Sequence, residues 1–240
     1  PMRPYNPNRA IYHFRWFWDT AGGQMTNLGQ HSLDTVYWLL GLKGPKSVTS
    51  VGGRYFLKDN CETPDVQDVI LEYDRFTVFC QWRECAASAA DANMGAVRFC
   101  GTRGTLPLTR DFFEIIPDKK ENPLNVVGRI FGGHPVGGPQ VVPEEPGFWT
   151  EPVKDSQTSW AEQYVGHIRN FLDCVKSRQQ PIADLDSAHR VATACHLANI
   201  AIQLGRKLRW DPVKEQFIGD EAADKLLDRS RRDPWQLPKL

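Results

Sequence analysis

Near the start of the sequence, three residues whose types suit proton transfer recur at helical spacing. Asn27, His31 and Asp34 stand at i, i+4 and i+7 within residues 20–40, TAGGQMTNLGQHSLDTVYWLL. On a helix of ~3.6 residues per turn, that spacing puts all three on one face. Imidazole titrates near neutrality, so it both accepts and releases a proton at ordinary pH. Set between a carboxamide and a carboxylate, it has what a general acid–base needs. Most lone histidines are packed structural residues, and spacing alone does not separate the two roles.

A helix over this stretch must position the row. A small-residue turn, Ala21-Gly22-Gly23, opens it, and Gly41 follows the last apolar residue as a C-terminal stop. Met25, Leu28, Val36, Leu39 and Leu40 form the row expected to be buried. Ahead of it, residues 1–10 are rich in Pro and Asn and predict an extended loop. Residues 11–18 (IYHFRWFW) predict a short strand or a packed irregular segment. Trp16 and Trp18 there suit core packing or, alternatively, a pocket wall on which a sugar or nicotinamide ring stacks.

Strands dominate the middle of the chain. Residues 47–56 alternate, with a bend at Gly52-Gly53. Residues 66–73 and 76–82 flank Asp74-Arg75 as a β-hairpin. Residues 86–94 read as loop, 97–100 as strand, 101–104 as a tight turn, and 105–108 and 112–116 as further strands. Residues 117–155 contain a Gly- and Pro-rich excursion, read as an arm, a subunit-contact loop or a lid. Residues 159–178 and 186–204 predict two helices, 207–210 a short strand, and 220–228 a terminal helix followed by a tail. Sequential strands at hairpin distances predict an α+β fold. Its open-faced, mainly antiparallel sheet should carry helices on one face. We read residues 1–240 as one domain, with 219–240 as terminal helix and tail. No GxGxxG and no βαβαβ rhythm occur, so a Rossmann domain is absent from this sequence.

The composition excludes several classes of partner. Lysine and arginine total 29, equal to aspartate and glutamate, so nothing predicts a nucleic-acid or anionic-membrane partner. The six cysteines form no CxxC and no zinc-finger spacing, which predicts no metal site and free thiols in a reducing, cytoplasmic compartment. His189 and His196 lack ligand-spaced partners. The sequence starts Pro1-Met2-Arg3-Pro4, so an upstream leader and export of a longer protein stay open.

GGQMTNLGQHSLD (residues 22–34) resembles the GGGxxxDxGxHxxD signature of the Gfo/Idh/MocA oxidoreductases. RPYNPNRA, FRWFWD, HIRNFLDCVKSR, AHRVATACHLANIAIQLGRKLRWDP and DPW resemble the same family, in order and over nearly the whole chain. The resemblance implies a C-terminal domain like that of glyceraldehyde-3-phosphate dehydrogenase. Its first strand and an NAD- or NADP-binding Rossmann domain should lie upstream. By position, His31 matches the histidine that exchanges a proton with the substrate hydroxyl during hydride transfer. Asn27 stands where many members have aspartate, and holds a hydroxyl or a water without taking a proton. Asp34 matches the last aspartate of the signature and is expected near the substrate or supporting the helix. Arg15 matches an arginine near cofactor and substrate, and Trp18 is expected to line the substrate site. The implied ligand is a sugar or polyol, and the implied assembly a homo-oligomer through the sheet face.

Three functions follow as expectations. The first is hydride transfer between a nicotinamide and a sugar or polyol hydroxyl, with this chain as the C-terminal portion and inactive alone. The second is redox-assisted glycoside cleavage on the same scaffold. The third is a binding and oligomerisation module without catalysis.

Overall fold

Gly23–Leu40 forms the first α-helix, α1, and five residues set its buried face: Met25, Gly29, Leu33, Val36 and Tyr37. Gly41 closes it in the left-handed conformation, φ 60°, and donates its backbone N–H to Tyr37 O. This is the predicted stop, and glycine adopts such a φ without a Cβ clash. The expected apolar row is only partly right. Leu39 and Leu40 are exposed, and Leu28 is half-buried. Leu28 and Leu39 lie on the flank of the stripe, and the last turn runs past the residues that cover the first three.

The computed structural model describes residues 4–86, 97–109, 112–119, 147–156, 160–229, 231 and 233–237. They fall in two compact units, residues 1–95 with 178–240, and residues 96–177. The loop expected over 86–94 and most of the Gly/Pro-rich excursion lie outside the described residues.

In the first unit the hairpin is where the sequence places it. Strands β1 (Ser47–Gly53), β2 (Val66–Glu72) and β3 (Thr77–Arg83) pair antiparallel. Strands β8 (Leu208–Asp211) and β9 (Gln216–Phe217) complete a sheet of order β3-β2-β1-β8-β9. The helix Leu185–Leu204, here α3, packs on α1 and on β1. Asp184 caps its start by accepting the Ser187 N–H at 2.8 Å, and Gly205 ends it in the left-handed region.

Strand alternation then sorts the two faces of this sheet. Ser50, Val69 and Cys80 lie opposite one another in register and are buried beneath the helices. One residue back, Thr49, Ile70 and Phe79 face the other way, and Phe79 is 67% exposed. Helices on one face and an open second face are the predicted α+β architecture. The segment 1–10, expected to be extended, holds a 3-10 turn at Pro7–Arg9, and the aromatic segment 11–18 forms a 3-10 turn at His13–Trp16, the irregular alternative to a strand.

The second unit holds strands β4 (Val97–Gly101), β5 (Gly104–Leu108), β6 (Phe112–Pro117) and β7 (Val153–Ser156), paired antiparallel in that order. Its helix α2 spans Trp160–Ser177. Sequence reasoning missed β7, which lies at the end of the excursion. The terminal helix α4 is shorter than expected, Glu221–Asp224. Among the described residues, no helix is long and apolar enough to cross a membrane.

Candidate functional site

The start of α1 is built by long-range polar contacts. Gly22 O accepts from Asn199 Nδ2 at 2.8 Å. Gln67 Nε2 reaches Asn199 Oδ1 at 3.3 Å and Ser50 Oγ at 3.0 Å. Asn199, Gln67 and Ser50 are all buried, so four segments share one water-excluded network. Gly23 has φ 65°, and a Cβ there would lie 2.8 Å from Thr63 Cβ and Oγ1. Only glycine lets the chain turn this close to the neighbouring loop.

That loop is itself fixed by a buried carboxylate. Asp65 is 1% exposed and accepts the backbone N–H groups of Tyr55, Phe56 and Leu57 at 2.9, 2.9 and 2.7 Å. Burial by itself raises its carboxyl, but these three donors and the Cys85 side chain outweigh it and hold the group down at about 2. A depressed carboxyl stabilises the fold at pH values above its unfolded value. That stability is lost as pH falls from about 4 through about 2. Asp65→Asn leaves an amide donor facing backbone donors, and we expect it to cost about 2–4 kcal/mol in urea unfolding at neutral pH. The loss relative to the parent should shrink toward pH 2. A loss that is the same at every pH would exclude the carboxylate as its source.

On this base the predicted row is displayed outward. Asn27 is half-buried, and His31 and Asp34 are exposed. At ~3.6 residues per turn, His31 lies roughly opposite the centre of the buried face, and the three residues fall within an arc of about 60°. Among the described residues, no hydrogen bond or ion pair engages the side chains of Asn27, His31 or Asp34. The imidazole is therefore presented to solvent without a protein partner, as a group that meets a substrate must be. Asp34 neither caps the helix nor orients the imidazole. Trp38, to which the sequence reading gave no role, stands in the same arc and is 66% exposed. Its signal was the spacing, i+7 from His31.

The two aromatic-segment residues are held differently. Arg15 lies 4.2 Å from the Tyr12 ring centroid and 4.8 Å from that of Phe14, and its Nη1 donates to Tyr12 O at 3.0 Å. The turn that carries it packs beside α1. Trp18 is half-buried, and its backbone N–H donates to Glu62 Oε2 at 3.0 Å. Among the described residues, no hydrogen bond joins Arg15 or Trp18 to the Asn27–Asp34 row. His189 pairs with Glu215 at 2.7 Å on the surface, and among the described residues no group of three or more side chains could hold a metal ion.

Comparison with known proteins agrees with this architecture. Residues 2–107 match the model of the GFO/IDH/MocA C-terminal domain, and residues 155–237 match that of the oxidoreductase family C-terminal alpha/beta domain. The chain belongs to the Gfo/Idh/MocA family and carries its C-terminal domain. No curated protein sequence matches it.

Among solved structures, it is similar to a candidate NADPH-dependent oxidoreductase of Desulfitobacterium hafniense. The identity is 16% and the TM-score 0.54, covering 82% of this chain and 50% of that one. It is also similar to GenD2 of gentamicin A biosynthesis, solved with NAD, at 18% identity and TM-score 0.50, covering 84% and 52%. A third is an oxidoreductase of Agrobacterium radiobacter, solved with NAD+, L-tartaric acid and magnesium. There the identity is 14% and the TM-score 0.50, covering 78% and 49%. These likenesses show the fold. The chain spans about half the length of the solved structures it matches, 53% and 54% of two others.

Proposed function

We propose that this chain is the substrate-facing portion of an NAD- or NADP-dependent oxidoreductase acting on a sugar or polyol hydroxyl. The observation that carries the reading is the partner-free imidazole of His31, displayed from a helix whose start is anchored in the core. When an alcohol is oxidised, its carbon gives hydride to the nicotinamide and its oxygen must release a proton. His31 takes that proton and returns it in the reverse direction. Asn27 cannot accept it but holds the same hydroxyl by hydrogen bonds. Trp38 offers an indole face to the apolar side of a sugar ring.

Among the described residues, the Gly22-Gly23 turn does not build a dinucleotide cradle. Gly22-Gly23 opens a helix, as phosphate-binding turns do. Yet a Cβ at Gly22 would lie 2.4 Å from Asn199 Nδ2, so protein fills the space that a pyrophosphate needs. The reading therefore assigns the nucleotide to polypeptide outside this sequence. The exposed outer sheet face, with Val51 at 59% and Phe79 at 67% exposed, supports assembly with further copies through that face. All six cysteines are free thiols, which supports a cytoplasmic home for the enzyme.

The longer protein that contains this chain should reduce NAD+ or NADP+ steadily when given a panel of sugars and polyols. The 240-residue chain alone should give no signal. Reduced cofactor made by the isolated chain would overturn the division of labour. Release of an aglycone without net reduced cofactor would shift the reading to glycoside cleavage.

A further inference from the structure

The tail after α4 has no role in the mechanism above, yet it reaches the segment that leads into α1. Arg229 Nη1 donates to Asp19 O at 2.6 Å, across 210 positions of sequence. The tail is rooted where it makes this reach. Ala223 of α4 is buried, and Asp224 accepts the N–H of Phe217 at 2.7 Å. The Arg229 backbone N–H donates to Asp228 Oδ1 at 2.8 Å, and the Arg231 guanidinium pairs with the same carboxylate at 2.8 Å.

A second arginine holds the other side of Asp19. Arg9 donates to the Asp19 carboxylate, stands 3.7 Å from Glu62 Oε1, and lies 4.1 Å from the ring centroid of the buried Phe17. Glu62 in turn accepts the Trp18 N–H at 3.0 Å. The backbone N–H groups of Glu62 and Thr63 donate to Trp16 O at 2.8 and 3.2 Å. Residues 16–19 are therefore held from within by residues 9, 62 and 63, and from the tail by Arg229.

The two holds differ in kind. The Arg9 side chain is 17% exposed and packs on an aromatic ring, so its loss leaves a gap and strands two carboxylates. Arg229 is exposed, and among the described residues its side chain donates to one carbonyl. A single bond at the surface does not decide whether the chain folds. It does shift a segment between two placements, by about two- to tenfold.

We propose that Arg229 is a positioning residue for substrate binding: by tying Asp19 O to the tail, it sets the placement of Trp18, and of Arg15 three residues before it, beside the start of α1. The latch stands on geometry. Its bearing on substrate rests on the reading of Trp18 and Arg15 as residues of the substrate site.

The test has two arms. In the intact chain labelled with 5-fluorotryptophan, the Trp18 signal is assigned by its loss in Trp18→Phe. Arg229→Met should move that signal while Trp210, buried in the sheet, keeps its own. Arg229→Lys, which keeps a cationic donor, should largely restore it. A Trp18 signal that stays in place, or that moves together with Trp210, would overturn the latch. In the longer protein, R229M should raise KM for the sugar or polyol about two- to tenfold with kcat little changed, because only the fraction of molecules with the segment in place binds. R229K should recover most of that loss. A moved signal with an unchanged KM would overturn the role in substrate binding. If R229M moves Trp18 and raises KM while His31→Ala keeps full activity, the latch stands and it is the proton-transfer reading that fails.

Discussion

Under the proposed function, replacing His31 with alanine in a protein that joins this chain to a nucleotide-binding domain should lower kcat by about 10²–10⁴-fold, the usual contribution of a positioned acid–base group. The same substitution leaves the stability of the chain within about 0.5 kcal/mol, as surface changes do. The imidazole is exposed and makes no hydrogen bond within the protein, so its removal opens no cavity and strands no partner. Alanine is also a strong helix former, which favours α1. Activity and stability therefore separate at this position. Stopped turnover with an unshifted melting curve is the expected pair of results. A variant that keeps more than about a tenth of the parental rate, against the drop expected of an acid–base group, would leave the row without chemistry.

Asn199 is the converse case. Asn199→Leu should destabilise the fold by about 2–4 kcal/mol, because it strands buried groups. Leucine has similar volume but neither donor nor acceptor. Gly22 O then loses its bond at 2.8 Å, and Gln67 Nε2 keeps only Ser50 Oγ. Neither can turn to water, since Gly22 is buried and Gln67 is 3% exposed. Urea unfolding should show a lower midpoint with an unchanged slope. A loss below about 0.5 kcal/mol would place this position among those where polar pairing is dispensable.

Local patterns in the sequence carried the hairpin, the two long helices and the glycine that ends α1. Each of these depends on residues within a few positions of one another: turn residues beside alternating strands, or an apolar stripe closed by Gly41. The row Asn27, His31 and Asp34 was legible for the same reason, since helical spacing alone puts it on one face.

What escaped was non-local. Asn199 sits in a mostly apolar helix, and nothing nearby in sequence shows that it supports a glycine turn at the other end of the chain. Leu39 and Leu40 fit the apolar pattern but lie where the packed layer has ended. Strand β7 was hidden by the composition that precedes it, because a four-residue strand is defined here by its pairing with β6. Pro7 and the cap from Asn6, which accepts the Asn8 N–H at 2.9 Å, bent an expected extended segment into a 3-10 turn.

The bond between Gly22 and Asn199 joins residues 177 positions apart, and β1 likewise pairs with β8 through Val48 and Leu208. A ribosome making this chain releases His31 long before it releases the asparagine that anchors the start of its helix. At a synthesis rate of about 5–20 residues per second, that interval is on the order of ten seconds or more. Until then the outer edge of β1 and the underside of α1 are exposed to whatever else the cell offers. Contacts this far apart also slow closure of the native topology. Nascent chains stalled shortly before residue 199 should therefore engage chaperones, and those stalled well beyond residue 217 should not.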